Sequence, residues 1–193
     1  MKVIFNESIL SSFENKIAQH HKLYPEIIIK AEYWECIAKN SLGVENWIPN
    51  NHNPNEDFKT NFEGLKEPSL KSGVISNGKL TFSSHRMSKF NELSEMLNFL
   101  DGRTYDSYLF LARKENEEKK YYICYMPSKL WKFSDLRWSP IIGTRGKNTD
   151  KQSGWQGVSD DDKISCKIQF SMSNQLWVEV DSSLVSFLKE ILI

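Results

Sequence analysis

Apolar side chains recur along this chain with two periods, and the switches between them divide it into elements. Residues 7–20 and 25–40 carry helical spacing, and in the second Ile27, Ile28, Ala31, Trp34, Cys36 and Ile37 supply a packing stripe. Pro25 suits a first helical position, and Gly43 follows the end of the pattern. Between Trp47 and Glu56 the chain is rich in Asn and Pro, a loop by composition. Three extended pieces are expected next, at 57–60, 68–76 and 79–83. Asn77-Gly78 joins the last two as a hairpin turn, because both residues tolerate positive φ. Phe90, Leu93, Met96, Leu97 and Leu100 then predict a helix over 88–100, with Ser88 as its N-cap.

Two aromatic-rich strands, 105–113 and 120–126, flank the charged turn ENEEK as a second hairpin. Residues 139–160, holding glycines 143, 146, 154 and 157, read as loop. Strands near 163–171 and 175–181 lead into a predicted final helix at 182–192. The order predicts the α/β class, a mixed sheet flanked by helices in one domain.

Bulk composition narrows the chemistry only a little. The chain has 193 residues, 39% of them hydrophobic and 26% charged, enough to build a core. Its 25 basic and 25 acidic residues cancel, which argues against a polycation coating nucleic acid indiscriminately. A site-specific protein that gathers its basic groups in one cleft is still allowed. Cys36, Cys124 and Cys166 are odd in number, far apart and without a CxxC pair. They read as reduced, buried thiols of a cytoplasmic protein rather than a disulfide framework or zinc ribbon. The start MKVIFNESIL does not resemble a signal peptide, and no apolar run approaches a membrane span.

The stretch that carries chemistry is HNPNEDFKTNFEGLKEPSLKSGVISNG. Asp57 opens one extended piece, and twelve residues later Ser69-Leu70-Lys71 lies in another. Side chains alternate along a strand, so Ser69 and Lys71 share a face. If the two pieces pair as a hairpin, Asp57 converges with them. A carboxylate there could hold a divalent cation that lowers the pKa of an attacking water. A neighbouring lysine could orient that water and offset transition-state charge. Magnesium suits oxygen ligands that leave several waters in place.

An aspartate followed by an acidic-apolar-lysine strand is the pattern of the PD-(D/E)xK nucleases. Residues from about Trp47 to Leu100 resemble the active-site region of type II restriction endonucleases, with SLKSGVISNGKLTFSSHR similar to their catalytic hairpin. Two departures stand out: Pro54 lies three residues before Asp57 instead of next to it, and Ser69 occupies the usual acidic position. The resemblance implies a restriction-endonuclease-like core over residues 1–135, with 136–193 completing the sheet and adding recognition loops. It implies Mg2+ held by Asp57 and a recruited carboxylate, with Lys71 supporting the nucleophile and Ser69 shaping the site. Glu95 is the first choice for that carboxylate and Glu35 the second; Glu32, Glu67 and Glu92 are other sources.

The implied reaction is cleavage of double-stranded DNA at a short specific sequence. Cutting both strands calls for a homodimer or a partner nuclease subunit, and the resemblance adds a cognate DNA methyltransferase. Candidate DNA contacts are Ser84, His85 and Arg86, which could equally cap the following helix. Arg145, Lys147, Gln152 and the later Ser171, Ser173, Asn174 and Gln175 are further candidates. A solvated loop and a polar turn, respectively, explain these two groups as well. His52 could assist or be an ordinary loop histidine. Trp131, Trp138 and Trp177 are expected to pack rather than stack on bases. The alternatives are a repair nickase, a non-catalytic DNA-binding or specificity subunit, or a protein-interaction domain.

Overall fold

The computed structural model describes residues 5–44, 58–62, 65–117, 120–143 and 149–193. Three helices, α1 (Glu7–Leu23), α2 (Ala31–Ser41) and α3 (Leu93–Asp101), pack on a nine-stranded mixed sheet. Its strands are β1 (Pro68–Ser76), β2 (Lys79–Arg86), β3 (Ser107–Lys114), β4 (Lys120–Pro127), β5 (Arg137–Ile142), β6 (Gln152–Val158), β7 (Ile164–Gln169), β8 (Gln175–Asp181) and β9 (Ser186–Leu192). They lie in the order β5-β6-β7-β8-β2-β1-β3-β4-β9. Only β1 and β3 pair in parallel, because α3 carries the chain across between β2 and β3. The expected α/β class with a mixed sheet flanked by helices holds at this level.

Strand alternation divides the core into two layers. Leu70, Leu109, Leu111, Tyr121 and Ile123 pack with Phe13, Ile17, Trp34 and Ile37 under α1 and α2. Ile75, Leu80, Phe82, Tyr108 and Phe110 pack on the other face with Met96 and Leu100 of α3. The second layer continues through Val178 and Val180 of β8 to Ile164, Cys166 and Ile168 of β7. β4 and β5 stand seven places apart in the sheet, yet only nine residues, ten Cα–Cα steps, join Pro127 to Arg137. A flat sheet would separate those strands by about 34 Å, close to the full reach of ten extended residues, so the sheet curls around α3.

Several expected elements differ, each for a local reason. The second helix begins at Ala31, not 25, and Pro25 lies in a turn. The β-branched Ile27-Ile28-Ile29 favours extended backbone, which buries Ile29 beside Tyr121. α3 begins at Leu93, where Glu92 and Glu95 form a capping box, so Ser88 is not its N-cap. Residues 58–60 form no strand; Thr60 instead turns back, its N–H donating to Lys66 O at 2.8 Å.

The glycine-rich stretch assigned to loop contains the β5–β6 hairpin. A Cβ on Gly154 would stand 2.2 Å from Ile168 O, and one on Gly157 would meet the Trp138 ring at 2.7 Å. These glycines permit close approach rather than looseness. Pro140 is tolerated because β5 is an edge strand. The helix expected at 182–192 is a 3-10 turn, Ser182–Leu184, followed by β9. β9 satisfies the free edge of β4, and Lys120 meets Glu190 across that pair at 3.0 Å. Among the described residues, no helix is long and apolar enough to cross a membrane.

Candidate active site

The layer in which each side chain of β1 lies follows from its neighbours. Leu70 belongs to the core under α1 and α2, whereas Ile75 belongs to the α3 layer. Alternation therefore puts Ser69 and Lys71 together on the α3 side. Ser69 is level with Tyr108 and Lys71 with Phe110 on the parallel strand β3. Continued from Gly73↔Phe82, the β1–β2 register sets Lys71 beside Ser84.

At that point β2 is irregular. Between Ser83 and Arg86 its register against β8 advances three residues while β8 advances two, from Trp177 to Gln175. The extra residue is a β-bulge, a feature that turns a side chain away from the regular alternation. It brings His85 onto the α3 side, with its ring 5.4 Å from that of Phe99 and 6.1 Å from that of Tyr105. Tyr105 Oη lies 3.5 Å from His85 Nε2 and 2.8 Å from Tyr108 Oη. Burial, and then the positive charges of Lys71 and Arg103, push the imidazole down to about 4. His85 is therefore neutral at pH 7. Lys71 is half-buried beside it and makes no ion pair among the described residues. Ser84 Oγ is buried there without a hydrogen-bond partner among the described residues.

The side chain of Gln175 holds the bulge closed. Its Nε2 donates to Ser84 O at 2.7 Å and His85 O at 3.3 Å, and its Oε1 accepts from Arg86 Nε at 3.1 Å. Asn174, in the left-handed region at φ 52°, accepts from Met87 N–H and donates to Met87 O and Phe90 O. Two groups proposed separately as DNA contacts, 84–86 and 173–175, thus form one hydrogen-bonded unit. Arg86 and Ser173 are exposed, while Gln175 is buried and occupied by its clamp. Gln175→Ala is expected to cost about 1–2 kcal/mol of stability and to let His85 titrate closer to an ordinary histidine. Urea unfolding and histidine NMR titration check it; an unmoved His85 would show that the clamp does not aim the ring.

The nominated carboxylates are dispersed. Glu95 accepts from the N–H groups of Asn91 and Glu92 at 3.3 and 3.4 Å as part of the capping box, and Glu92 is the other half of that box. Glu35 is on α2, across the sheet from Lys71, and pairs with the buried Lys39 at 3.5 Å. Glu32 is exposed on the same helix. Glu67 pairs with Lys59 at 3.1 Å, and Asp106 fixes the entry to β1 by accepting from Lys66 and Glu67 N–H. Lys59 and Thr60 run alongside Lys66 and Glu67, so the two arms approach as far as they are described. Asp57, His52, Arg145 and Lys147 lie outside the described residues. Among the described residues no group of three His, Cys, Asp or Glu converges, and Asp57, the ligand on which a magnesium site here would depend, lies outside them.

Elsewhere, Gln152 is exposed on β6 and donates to Gly154 O, and Ser171 is exposed in the turn after β7. Trp138 packs, donating to Phe133 O at 2.8 Å, and Trp131 is buried. Arg103, Tyr105 and Tyr108 were not foreseen as neighbours of His85. The polar run Ser83-Ser84-His85, interrupting the alternation of Leu80 and Phe82, was the available signal. The chain matches no protein-family model, and no curated protein matches it.

Proposed function

We propose that this chain is a site-specific endonuclease of double-stranded DNA, of the type II restriction kind and with a restriction-endonuclease-like core. The observation that carries the reading is Lys71, a half-buried ammonium on a central strand with no ion-pair partner among the described residues and a neutral histidine beside it. A charge withdrawn from water without a partner is costly, and a phosphate oxygen would supply the missing anion. A bound phosphate would offset the Lys71 and Arg103 charges that help hold His85 low, so its imidazole could then take a proton from a nearby water, and Ser69 could orient that water through its hydroxyl. Arg86 and the exposed Ser173, on one hydrogen-bonded unit with the His85 bulge, would set the DNA register beside the reacting group. Magnesium, which the resemblance implies, would be held by Asp57. A second copy or a partner subunit would supply the second cut, a methyltransferase would protect host DNA, and the cytoplasm is the expected location.

A second reading is a DNA-binding or specificity subunit without catalysis. Ser69 in the usual acidic place and the engagement of Glu92 and Glu95 in helix capping favour it. The test is incubation of the chain and of Lys71→Ala with unmethylated DNA, with magnesium or with a chelator. Discrete fragments that disappear in the variant and in the chelator are expected. Specific, salt-sensitive binding without cleavage would favour the second reading, and absence of DNA binding would remove both.

A further inference from the structure

We infer that the sheet face turned away from Lys71 carries a second site, a trough that takes a short single strand of nucleic acid. The inference goes beyond the proposed cleavage reaction and does not depend on it. α1 and α2 cover β1, β3, β4 and β9 on this face, but no residue of β2, β7 or β8 joins the core they form. Instead two recesses of about 290 and 240 Å³ lie there, sharing Thr81 and Trp177 as common walls. Together they cross from β3 to β7, four inter-strand steps of the sheet. That is a span of about 19 Å, room for a few nucleotides of an extended strand.

Three features of this trough match one ligand chemistry. Its cations Lys30, Arg113 and Lys167 make no ion pair among the described residues, while Glu179 is neutralised by Lys79 at 3.0 Å. The surplus is positive in a chain whose overall charge is zero. Trp177, between Ser83 and Lys167 in the sheet, is half-buried and places an aromatic surface at the junction of the recesses. Its Nε1–H is buried without an acceptor among the described residues, so the indole is not held by a hydrogen bond of its own. Bases stack on such a ring in a sequence-tolerant way, and cations along the groove hold the phosphates. A duplex hides its base faces and would offer this sheet surface only its backbone, so a single strand is the better match.

The test is fluorescence anisotropy with a labelled ten-residue oligothymidylate at low salt. The intact chain is expected to bind it and to lose affinity as salt rises. Trp177→Ala is expected to weaken binding about 10-fold or more, with Trp177→Phe retaining most of it. Exposed Lys167→Glu, which leaves the core untouched, is expected to weaken it as well, and the same charge change at exposed Lys129, in the turn after β4 and outside both sites, to leave it unchanged. Equal binding by all variants, an equal loss with Lys129→Glu, or no binding by the intact chain would overturn the inference. A dimer in sedimentation that Lys167→Glu or Trp177→Phe dissociates, without an effect on oligothymidylate, would also overturn it, by assigning the face to a second copy of this chain. Cleavage of duplex DNA is unaffected in either case, so the two proposals fail separately.

Discussion

Arg103→Met is expected to lower the stability of the folded chain by about 3–5 kcal/mol, the range for removing one member of a buried charged network. Arg103 is only 7% exposed. Its Nε and Nη2 both donate to Ser128 O, at 3.1 and 2.5 Å, and Nη2 also reaches Trp131 O at 2.7 Å. Nη1 donates to Leu100 O at 3.0 Å and lies 3.6 Å from Asp101 Oδ1. Asp101 in turn accepts from Phe133 and Ser134 N–H at 2.6 and 3.1 Å, and the guanidinium stands 4.9 Å from the Phe133 ring centroid. One side chain thus ties the end of α3 to the exit from β4 and to the turn that leads to β5. Methionine matches much of the volume and leaves those carbonyls without donors. Lysine should rescue little, because a single ammonium cannot reproduce the planar fork. Thermal unfolding checks this, with a fall in Tm on the order of 10 °C for a chain of this size. A change of less than 1 kcal/mol would mean that water replaces the guanidinium at no loss.

Stability should also climb as pH rises from about 4 to 6.5, and His85 should account for much of that climb. Its folded value, about 4, lies below the ordinary 6.5, so across this window the unfolded chain binds more protons than the folded one. The contribution is full above pH 6.5 and is lost as pH falls toward 4. At 1.36 kcal/mol per pH unit its ceiling is about 3 kcal/mol, with less retained where water screens the half-buried ring. His21 adds to the same slope, since burial and then His20 lower it too. Asp161 and Asp181 are held below the ordinary carboxylate value by hydrogen bonds from Ser159 and Ser183 respectively, so their loss of stability comes at lower pH. His85→Gln should flatten the curve without removing it. Urea midpoints measured at several pH values between 4.5 and 7.5 decide the matter; an unchanged slope in the variant would place the pH dependence elsewhere.

Elements whose cause is local were legible in the sequence. Asn77 and Gly78 take φ 50° and 74°, the turn that their types announce. Alternation placed Ser69 and Lys71 on one face, and the Lys79-Leu80-Thr81-Phe82-Ser83 pattern already describes a strand with one polar face. Features set by distant neighbours were not legible. Gly154 and Gly157 signal a loop until Ile168 and Trp138 are seen against them. Leu188, Lys189, Glu190 and Ile191 suit a helix as well as a strand, and only the edge of β4 decides between them. Which face α2 covers is a packing outcome, so no local pattern warned that Glu35 sits across the sheet from Lys71. The aim of His85 depends on a side chain far along the chain and has no counterpart in its own segment.

That last dependence sets an order in time. Gln175 is 91 residues beyond the Ser84 carbonyl that it holds. At about 5–20 residues per second, a ribosome takes roughly 5–20 s to pass from one to the other. During that interval β2 has its hairpin partner but not β8, and its open edge is a template for wrong pairing. His85 has no clamp to aim it in the same period. A nascent chain therefore carries Lys71 and its hairpin early and acquires the histidine geometry among its last steps, so whatever chemistry the pair performs is withheld until the sheet has closed over β2.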